Sequence, residues 1–168
     1  YPVEFMAGVL TSIMDKTDKI PVYIQLCRQM GIKILPPDIN SSAATFGIEN
    51  GAIRFGLAAV RNVGENAIVS MERVRAEGGQ FRSLVDFCAR VDMRTVNKRA
   101  IESLIKCGAF DSLGTERNQL LVALDAAMQD AARRQRDLMS GQIGLFGEDT
   151  MEEVHQIQIP SDVPPSTA

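Results

Sequence analysis

Several residue types are scarce in this chain of 168 residues. Tryptophan is absent, aromatic residues make up 5%, and histidine occurs once, at His155. Because β-sandwiches are rich in aromatic and β-branched residues, this composition favours helices. The three cysteines lie far apart and form no Cys-x-x-Cys pair. That spacing argues against a disulfide scaffold and a zinc site, and it predicts a reducing, cytoplasmic environment.

Long apolar runs and a uniform charge are also lacking. The longest apolar-rich stretch, residues 5–14, is too short for a bilayer, so we expect neither a membrane partner nor a signal peptide. The net charge of −3 combines a basic middle and an acidic end. Residues 54–136 have 14 Lys/Arg against 10 Asp/Glu, whereas residues 137–168 have six Asp/Glu and no Lys/Arg. Residues 54–136 would either bind an anionic partner or form an ordinary solvated helical surface.

Hydrophobic periodicity predicts a mainly helical fold, in which a helix bundle follows two helices and a small β-hairpin. The hairpin is predicted at residues 46–55, since Asn50-Gly51 between short apolar runs favours a tight turn. A short strand is predicted at residues 32–35. Side chains that could cap helices are those of Asp18, Ser83, Asn97 and Thr115. The helices are predicted at residues 1–14, 18–30, 57–61, 65–76, 83–91, 97–106 and 115–139.

The most informative local pattern is a helical hairpin at residues 57–68. Asn62-Val63-Gly64 separates two apolar helices and follows the Gly-apolar-Gly turn of helix-hairpin-helix motifs, with asparagine in the first glycine position. Asparagine adopts left-handed backbone angles more readily than most residues. Gly64 allows a ligand to approach the backbone closely. The amides of Val63, Gly64, Glu65 and Asn66 would then bind a phosphate at a helix N-terminus.

A weaker copy of the hairpin lies at residues 104–114. Here Gly108 corresponds to Gly64, Cys107 to Val63, and Lys106 takes the first glycine position. Two such hairpins would form a tandem unit that holds one backbone of a duplex at each turn. Both are also compatible with ordinary turns between helices. The basic side chains expected to face phosphates are those of Arg61, Lys98, Arg99 and Lys106.

A short apolar peptide follows the last predicted helix. Gln142-Ile-Gly-Leu145-Phe146 has the Gln-x-x-Leu-Phe pattern of peptides that bind the bacterial sliding clamp. Its apolar side chains stand among glycine, serine and acidic residues, which favours a pocket on a partner. The alternative is that Leu145 and Phe146 pack back on the last helix. Residues 148–168 are acidic and proline-rich, and we expect them to be disordered.

Several stretches together resemble one family, the alpha subunit of bacterial DNA polymerase III. The resemblance covers residues 1–147. It implies four parts: the end of the polymerase fingers with the small β-hairpin (1–56), a tandem helix-hairpin-helix DNA-binding domain (57–139), an internal clamp-binding peptide (140–147) and a disordered acidic linker (148–168). The stretches that show the resemblance are residues 1–6, 31–40, 54–60 with 62–65, and 96–99 with 102–111.

The resemblance implies a segment that binds duplex DNA and the sliding clamp and supports processive synthesis. The DNA contacts would be those of the two hairpins, and the clamp contacts Gln142, Leu145 and Phe146. The parent polymerase would use two Mg²⁺ ions held by aspartates upstream of Tyr1. This fragment would therefore have no catalytic residue, no metal and no cofactor, and it would be inactive alone. Other replicase subunits would bind through the parent chain.

Two other interpretations remain open from the sequence. Glycosylases and ligases that repair DNA also contain helix-hairpin-helix motifs, and a glycosylase of that kind would need Lys or Asp just after the hairpin. Residues 68–71 are instead Ile-Val-Ser-Met. The second alternative is a helical protein-interaction domain that does not bind DNA.

Overall fold

The computed structural model describes residues 1–141, and this part of the chain is mainly helical, as predicted. No helix in these residues is long and apolar enough to cross a membrane. The elements in chain order are α1 (Pro2–Ser12), α2 (Ile20–Gln29), β1 (Ile34–Leu35), β2 (Gly47–Glu49), β3 (Ala52–Arg54), a 3₁₀ helix (Leu57–Ala59), α3 (Glu65–Gly78), α4 (Leu84–Arg90), α5 (Lys98–Lys106), a second 3₁₀ helix (Asp111–Leu113) and α6 (Arg117–Met139).

The predicted β-hairpin is confirmed, but it belongs to a three-stranded sheet. Strands β2 and β3 are antiparallel, and the turn between them places Asn50 at φ 52° and Gly51 at φ 78°. Strand β1 adds to the other edge of β3 in parallel, with Ile34 opposite Ile53. The sequence predicts this strand but no partner for it. Parallel pairing needs a long crossover and no tight turn, so no local signal reveals it.

Two of the four predicted helix caps are confirmed. The Ser83 side chain accepts a hydrogen bond from the Asp86 amide at the start of α4, at 3.0 Å. The Asn97 side chain accepts one from the Ala100 amide at the start of α5, at 2.9 Å. Each bond satisfies a first-turn N–H that has no partner within its helix.

The other two predicted caps are wrong. Helix α2 begins after Lys19 rather than Asp18, and α6 begins after Glu116 rather than Thr115; neither helix has a side-chain cap. In α2 a proline in the first turn lacks an N–H and is preorganised for helix, so it can start the helix without a cap.

The buried side chains form two clusters. The smaller cluster packs α1 and α2 against the sheet and contains Met6, Ala7, Leu10, Ile20, Cys27, Ile32, Phe46 and Ile53. The larger one fills the space among α3, α4, α5 and α6. At its centre Phe87 makes edge-to-face contacts with Phe81 and Phe110, with ring centroids 4.8 Å and 5.1 Å apart. Phe55 packs against both clusters and joins them.

A loop between β1 and β2 ties the sheet to the helices through polar contacts. The Asn40 amide group donates to the Phe81 carbonyl at 3.0 Å and accepts from the Phe81 amide at 2.7 Å. The Arg75 guanidinium, on α3, donates to the carbonyls of Ile39 and Ser42. These bonds satisfy loop backbone groups that would otherwise lack partners, and they fix the loop against α3 and the start of α4.

Truncation of the central aromatic ring should destabilise the larger cluster strongly. Phe87 is fully buried between two other rings. Phe87→Ala is expected to reduce the free energy of unfolding by about 3–5 kcal/mol in equilibrium urea denaturation. The control is Val69→Ala on α3, since Val69 is 57% exposed and should change stability by less than about 0.5 kcal/mol. Equal losses for the two variants would contradict this account of the core.

Candidate nucleic-acid interface

The first hairpin has the turn geometry that its sequence predicts. Asn62 adopts a left-handed conformation with φ 67°, and Gly64 precedes α3 in an extended conformation. The Asn62 side chain donates from Nδ2 to Oγ of Ser103 on α5, at 3.0 Å. This bond fixes the turn of the first hairpin to the helix that leads into the second.

Three of the four predicted amides in this turn are free of protein acceptors within the described residues, and the set is displaced by one residue. Val63 is buried, and its amide donates to the Val60 carbonyl at 3.4 Å. The amides of Gly64, Glu65, Asn66 and Ala67 have no acceptor within residues 1–141, and α3 has no side-chain cap. Together with the positive end of the helix dipole, they form a surface that favours an anion. The Glu65 carboxylate lies at the same end of the helix and would repel a bound anion.

Gly64 lies at the open side of the turn. Its φ of −80° suits any residue, and a Cβ built there would meet nothing within 4 Å. The fold of residues 1–141 therefore does not require glycine at this position. The open space is what a group approaching the backbone from outside would need.

The second hairpin has a different register from the predicted one. Gly108 is left-handed, with φ 92°, so it corresponds in conformation to Asn62 and not to Gly64. The buried Ala109 then corresponds to Val63, and Phe110 takes the position of Gly64. The sequence comparison aligned glycine with glycine, but the left-handed residue marks the start of the turn.

The second turn is closed by its own side chains. Arg117 donates from Nη1 to the Lys106 carbonyl and pairs with the Asp111 carboxylate at 2.7 Å. Its guanidinium covers Gly108, where a Cβ would lie 2.7 Å from Nη2. The Ala109 amide donates to the Leu104 carbonyl at 2.9 Å. The amides of Gly108 and Asp111 also donate to backbone carbonyls, so this turn is closed by bonds within the fold.

The basic side chains predicted to face phosphates fall into two groups. Arg61, Arg99 and Lys106 are exposed and make no hydrogen bond or ion pair within residues 1–141. Lys98 instead pairs with Asp125 on α6, with Nζ 2.7 Å from Oδ1. The hydrogen bond to this carboxylate raises the pKa of Lys98. Lys98 is therefore engaged with an acidic neighbour and is a poor candidate for a phosphate contact.

Ion pairs and backbone contacts engage most of the positive charge in residues 54–136. The engaged side chains in that region, besides Lys98, are Arg54, Arg75, Arg90, Arg94, Arg117, Arg133 and Arg134. Those without a hydrogen bond or ion pair within residues 1–141 are Arg61, Arg73, Arg82, Arg99, Lys106 and Arg136. The pairs of Arg90, Arg133 and Arg134 follow the i,i+3 and i,i+4 spacing of a helix and are visible in the sequence. The partners of Lys98, Arg75 and Arg117 lie in other elements, so no local pattern reveals them.

Arg61 and Lys106 come together at one groove of about 500 Å³. The groove lies between the first hairpin and the end of α5, and Ser103 and Cys107 also line it. Burial raises the pKa of the Cys107 thiol, so this group is neutral near pH 7. The groove therefore presents two positive charges and no thiolate. Arg99 stands eight residues from the groove's Lys106–Cys107 edge, at the opposite end of α5.

Acidic and sulfur ligands are not clustered in the described residues. Within residues 1–141 no three side chains of His, Cys, Asp or Glu come close enough to hold a metal ion. These residues do not fit the two-Mg²⁺ centre that the resemblance implies for a parent polymerase. The three predicted clamp contacts, Gln142, Leu145 and Phe146, lie outside the described residues, as does the predicted acidic linker.

Comparison with known proteins supports the hairpin geometry. The family described as helix-hairpin-helix motif matches residues 31–120, more than half of the chain. The chain belongs to this helix-hairpin-helix family. The match includes both turns and also the loop and sheet that precede them. The first two helices lie outside it.

Three relatives have the name DNA polymerase III subunit alpha. The protein of Vibrio cholerae is 44% identical over 93% of this chain and 14% of its own length. The Saccharopolyspora erythraea protein is 47% identical over 88% of the chain and 12% of its length. The Escherichia coli K12 protein is 43% identical over 94% of the chain and 14% of its own length. The chain thus spans 12–14% of these relatives.

The left-handed turn should make the protein sensitive to substitution at Asn62. Asn62→Gly loses the bond to Ser103 but keeps the backbone angles accessible, whereas Asn62→Ala also strains them. Alanine is expected to be less stable than glycine by about 1 kcal/mol in urea denaturation. The control position is Asn66, in α3. There the glycine variant should be less stable than the alanine variant by about 0.5–1 kcal/mol, because glycine weakens a helix. Equal stability of the two Asn62 variants would show that φ does not matter there.

Proposed function

We propose that this chain is a duplex-DNA-binding segment of a bacterial replicative DNA polymerase, the alpha subunit of DNA polymerase III. The main observation is the uncapped N-terminus of α3, which begins four residues after Arg61, a side chain without an ion pair in residues 1–141. The helix-hairpin-helix family match and the names of the relatives support the same conclusion.

The first hairpin would hold one phosphate of the sugar–phosphate backbone. The amides of Glu65, Asn66 and Ala67 would donate to phosphate oxygens, and Arg61 would neutralise their charge. Contacts of this kind position a protein on a duplex without reading its sequence. Lys106 and Arg99 would attract the DNA phosphates over a longer range. The second hairpin would act as a support for the first, through Asn62 and Ser103.

Clamp binding is the second part of the proposed function. Gln142 would bind at the mouth of an apolar pocket of the clamp, and Leu145 and Phe146 would fill it. The Gln-x-x-Leu-Phe pattern supports this role, as does its place directly after α6, where the resembling family keeps its clamp-binding peptide. Two weak contacts on one chain hold more tightly than either alone, because the second becomes intramolecular. Nucleotidyl transfer, cytoplasmic location and contacts with other replicase subunits are proposed for the parent chain.

A DNA glycosylase is a weaker candidate. The stretch after the first hairpin has Ile68 and Met71 buried and Val69 exposed, so it presents no acid or lysine to a base. Base-excision assays on damaged duplexes should give no product. Excision above background would favour the repair enzyme.

Duplex binding should be weak, independent of sequence and sensitive to salt. With about three phosphates neutralised, the logarithm of the affinity should fall against the logarithm of salt concentration with a slope of about −3. Filter binding of the whole chain to two duplexes of different sequence measures both properties. Failure to bind either duplex at low salt would favour the protein-interaction domain.

Gly64→Ala tests where the duplex binds. The added Cβ meets no protein atom, so the melting temperature should stay unchanged. A phosphate held against the turn would be displaced, and duplex affinity should fall about tenfold. The matched control is Gly8→Ala on α1, which also has open space around it and should leave binding unchanged. Full duplex affinity in the Gly64 variant would place the DNA elsewhere.

Alanine substitutions in the predicted clamp-binding peptide should remove clamp binding selectively. Leu145→Ala with Phe146→Ala should abolish the binding of the chain to purified bacterial sliding clamp, expected near micromolar, in surface plasmon resonance. Duplex binding should not change. The control is Ile143→Ala, since Ile143 is a spacer in the motif. Full clamp affinity in the double variant would exclude this peptide as the clamp site.

A further inference from the structure

Two neighbouring grooves meet beside the first hairpin. One, of about 500 Å³, lies between the hairpin and α5, and the other, of about 540 Å³, lies between the hairpin and α2. Both are lined by Phe55, Ala59 and Arg61. They therefore form one continuous surface that runs from α2 past the hairpin to the end of α5, and we call it the α2–α5 groove.

The α2–α5 groove is positively charged and has no acidic lining. Arg28 lies in its α2 part, Arg61 at the junction and Lys106 in its α5 part. All three side chains are exposed and make no hydrogen bond or ion pair within residues 1–141. No Asp or Glu is among the lining residues of either part. Of the twelve other cations in residues 54–136, eight are engaged in ion pairs or backbone contacts. The row of free charges in the groove therefore fits an extended polyanion.

The floor of the α2–α5 groove is apolar. Ile20 and Ile24 of α2 line it with Phe55, whose ring is held edge-to-face against Phe46 at a centroid distance of 4.9 Å. Cations beside apolar surface are typical of grooves that bind single-stranded nucleic acids, where sugars and bases contact the floor. A depression of about 500 Å³ has the size of a small-molecule site. A depression of this size can hold a single nucleotide.

We propose that the α2–α5 groove binds a single strand of nucleic acid, with phosphates at Arg28, Arg61 and Lys106. The proposal rests on the proposed function, because Arg61 belongs both to the duplex-binding hairpin and to the groove. A single strand leaving the duplex would pass directly into the groove. An acidic peptide also matches the charge, but this continuity with the hairpin favours nucleic acid.

The test compares single-stranded and duplex DNA on the same variants of the whole chain. Fluorescence anisotropy is measured with a labelled oligonucleotide of about 12 nucleotides and with its blunt duplex. Arg28→Gln should weaken single-strand binding about fivefold near 0.1 M salt and reduce the salt slope by about 0.7, since one phosphate contact is lost. Duplex affinity should not change. The control Arg82→Gln removes the same charge from an exposed position outside the groove and should affect neither DNA.

A second pair of variants tests the junction of the two grooves. Ala59→Glu places a negative charge where they meet, and Ala58→Glu places the same charge on the neighbouring exposed residue. Only Ala59→Glu should abolish single-strand binding, and melting curves check that both variants fold. Unchanged single-strand affinity in Arg28→Gln, or equal effects of the two glutamates, would overturn the proposal.

The outcomes also separate this proposal from the proposed function. If the wild-type chain binds no duplex but its single-strand binding depends on Arg28, the hairpin proposal fails and the groove proposal stands. If duplex binding is present and Arg28 has no effect on the single strand, the groove proposal fails alone. Arg28-dependent binding of a polyglutamate peptide, without single-strand binding, would assign the groove to an acidic peptide instead.

Discussion

The attachment of the β1–β2 loop to α3 is the constraint on which the rest of the arrangement depends. Arg75 holds two loop carbonyls, and Asn40 exchanges two hydrogen bonds with the backbone of Phe81. These contacts set the sheet and α2 against the hairpin helices, with Phe55 packed between the two clusters. The α2–α5 groove is lined by residues of both clusters, so its shape depends on how these contacts hold the clusters together.

The two hairpins begin with similar turns but have different surroundings. Each has a left-handed residue followed by a buried apolar one, Asn62-Val63 and Gly108-Ala109. After the first turn the chain enters α3 directly, and the first three amides of that helix have no acceptor within residues 1–141. After the second it enters a 3₁₀ helix, and Arg117 covers the turn. The difference depends on Arg117 of α6, which donates to the Lys106 carbonyl at the end of α5.

The number of cations available to a ligand depends on ion pairing as well as on composition. Lys98 and Arg99 are adjacent in sequence, yet only Lys98 reaches an acidic partner, Asp125. An exposed ion pair adds little stability, but it removes a cation from the set available to an anionic ligand. What remains free near the first hairpin is Arg61 with Lys106 and Arg28. Within residues 1–141 fewer cations are therefore available to an anionic ligand than the composition suggests.

The sequence by itself determined the features that depend on neighbouring residues. The helices, the Asn50-Gly51 hairpin, the caps at Ser83 and Asn97 and the left-handed Asn62 follow from local periodicity and backbone preference. Only the tertiary structure decided the pairing of β1 with β3, the closure of the second turn and the partner of Lys98. Contacts between residues distant in the chain depend on how helices and strands pack, and no local pattern encodes that packing.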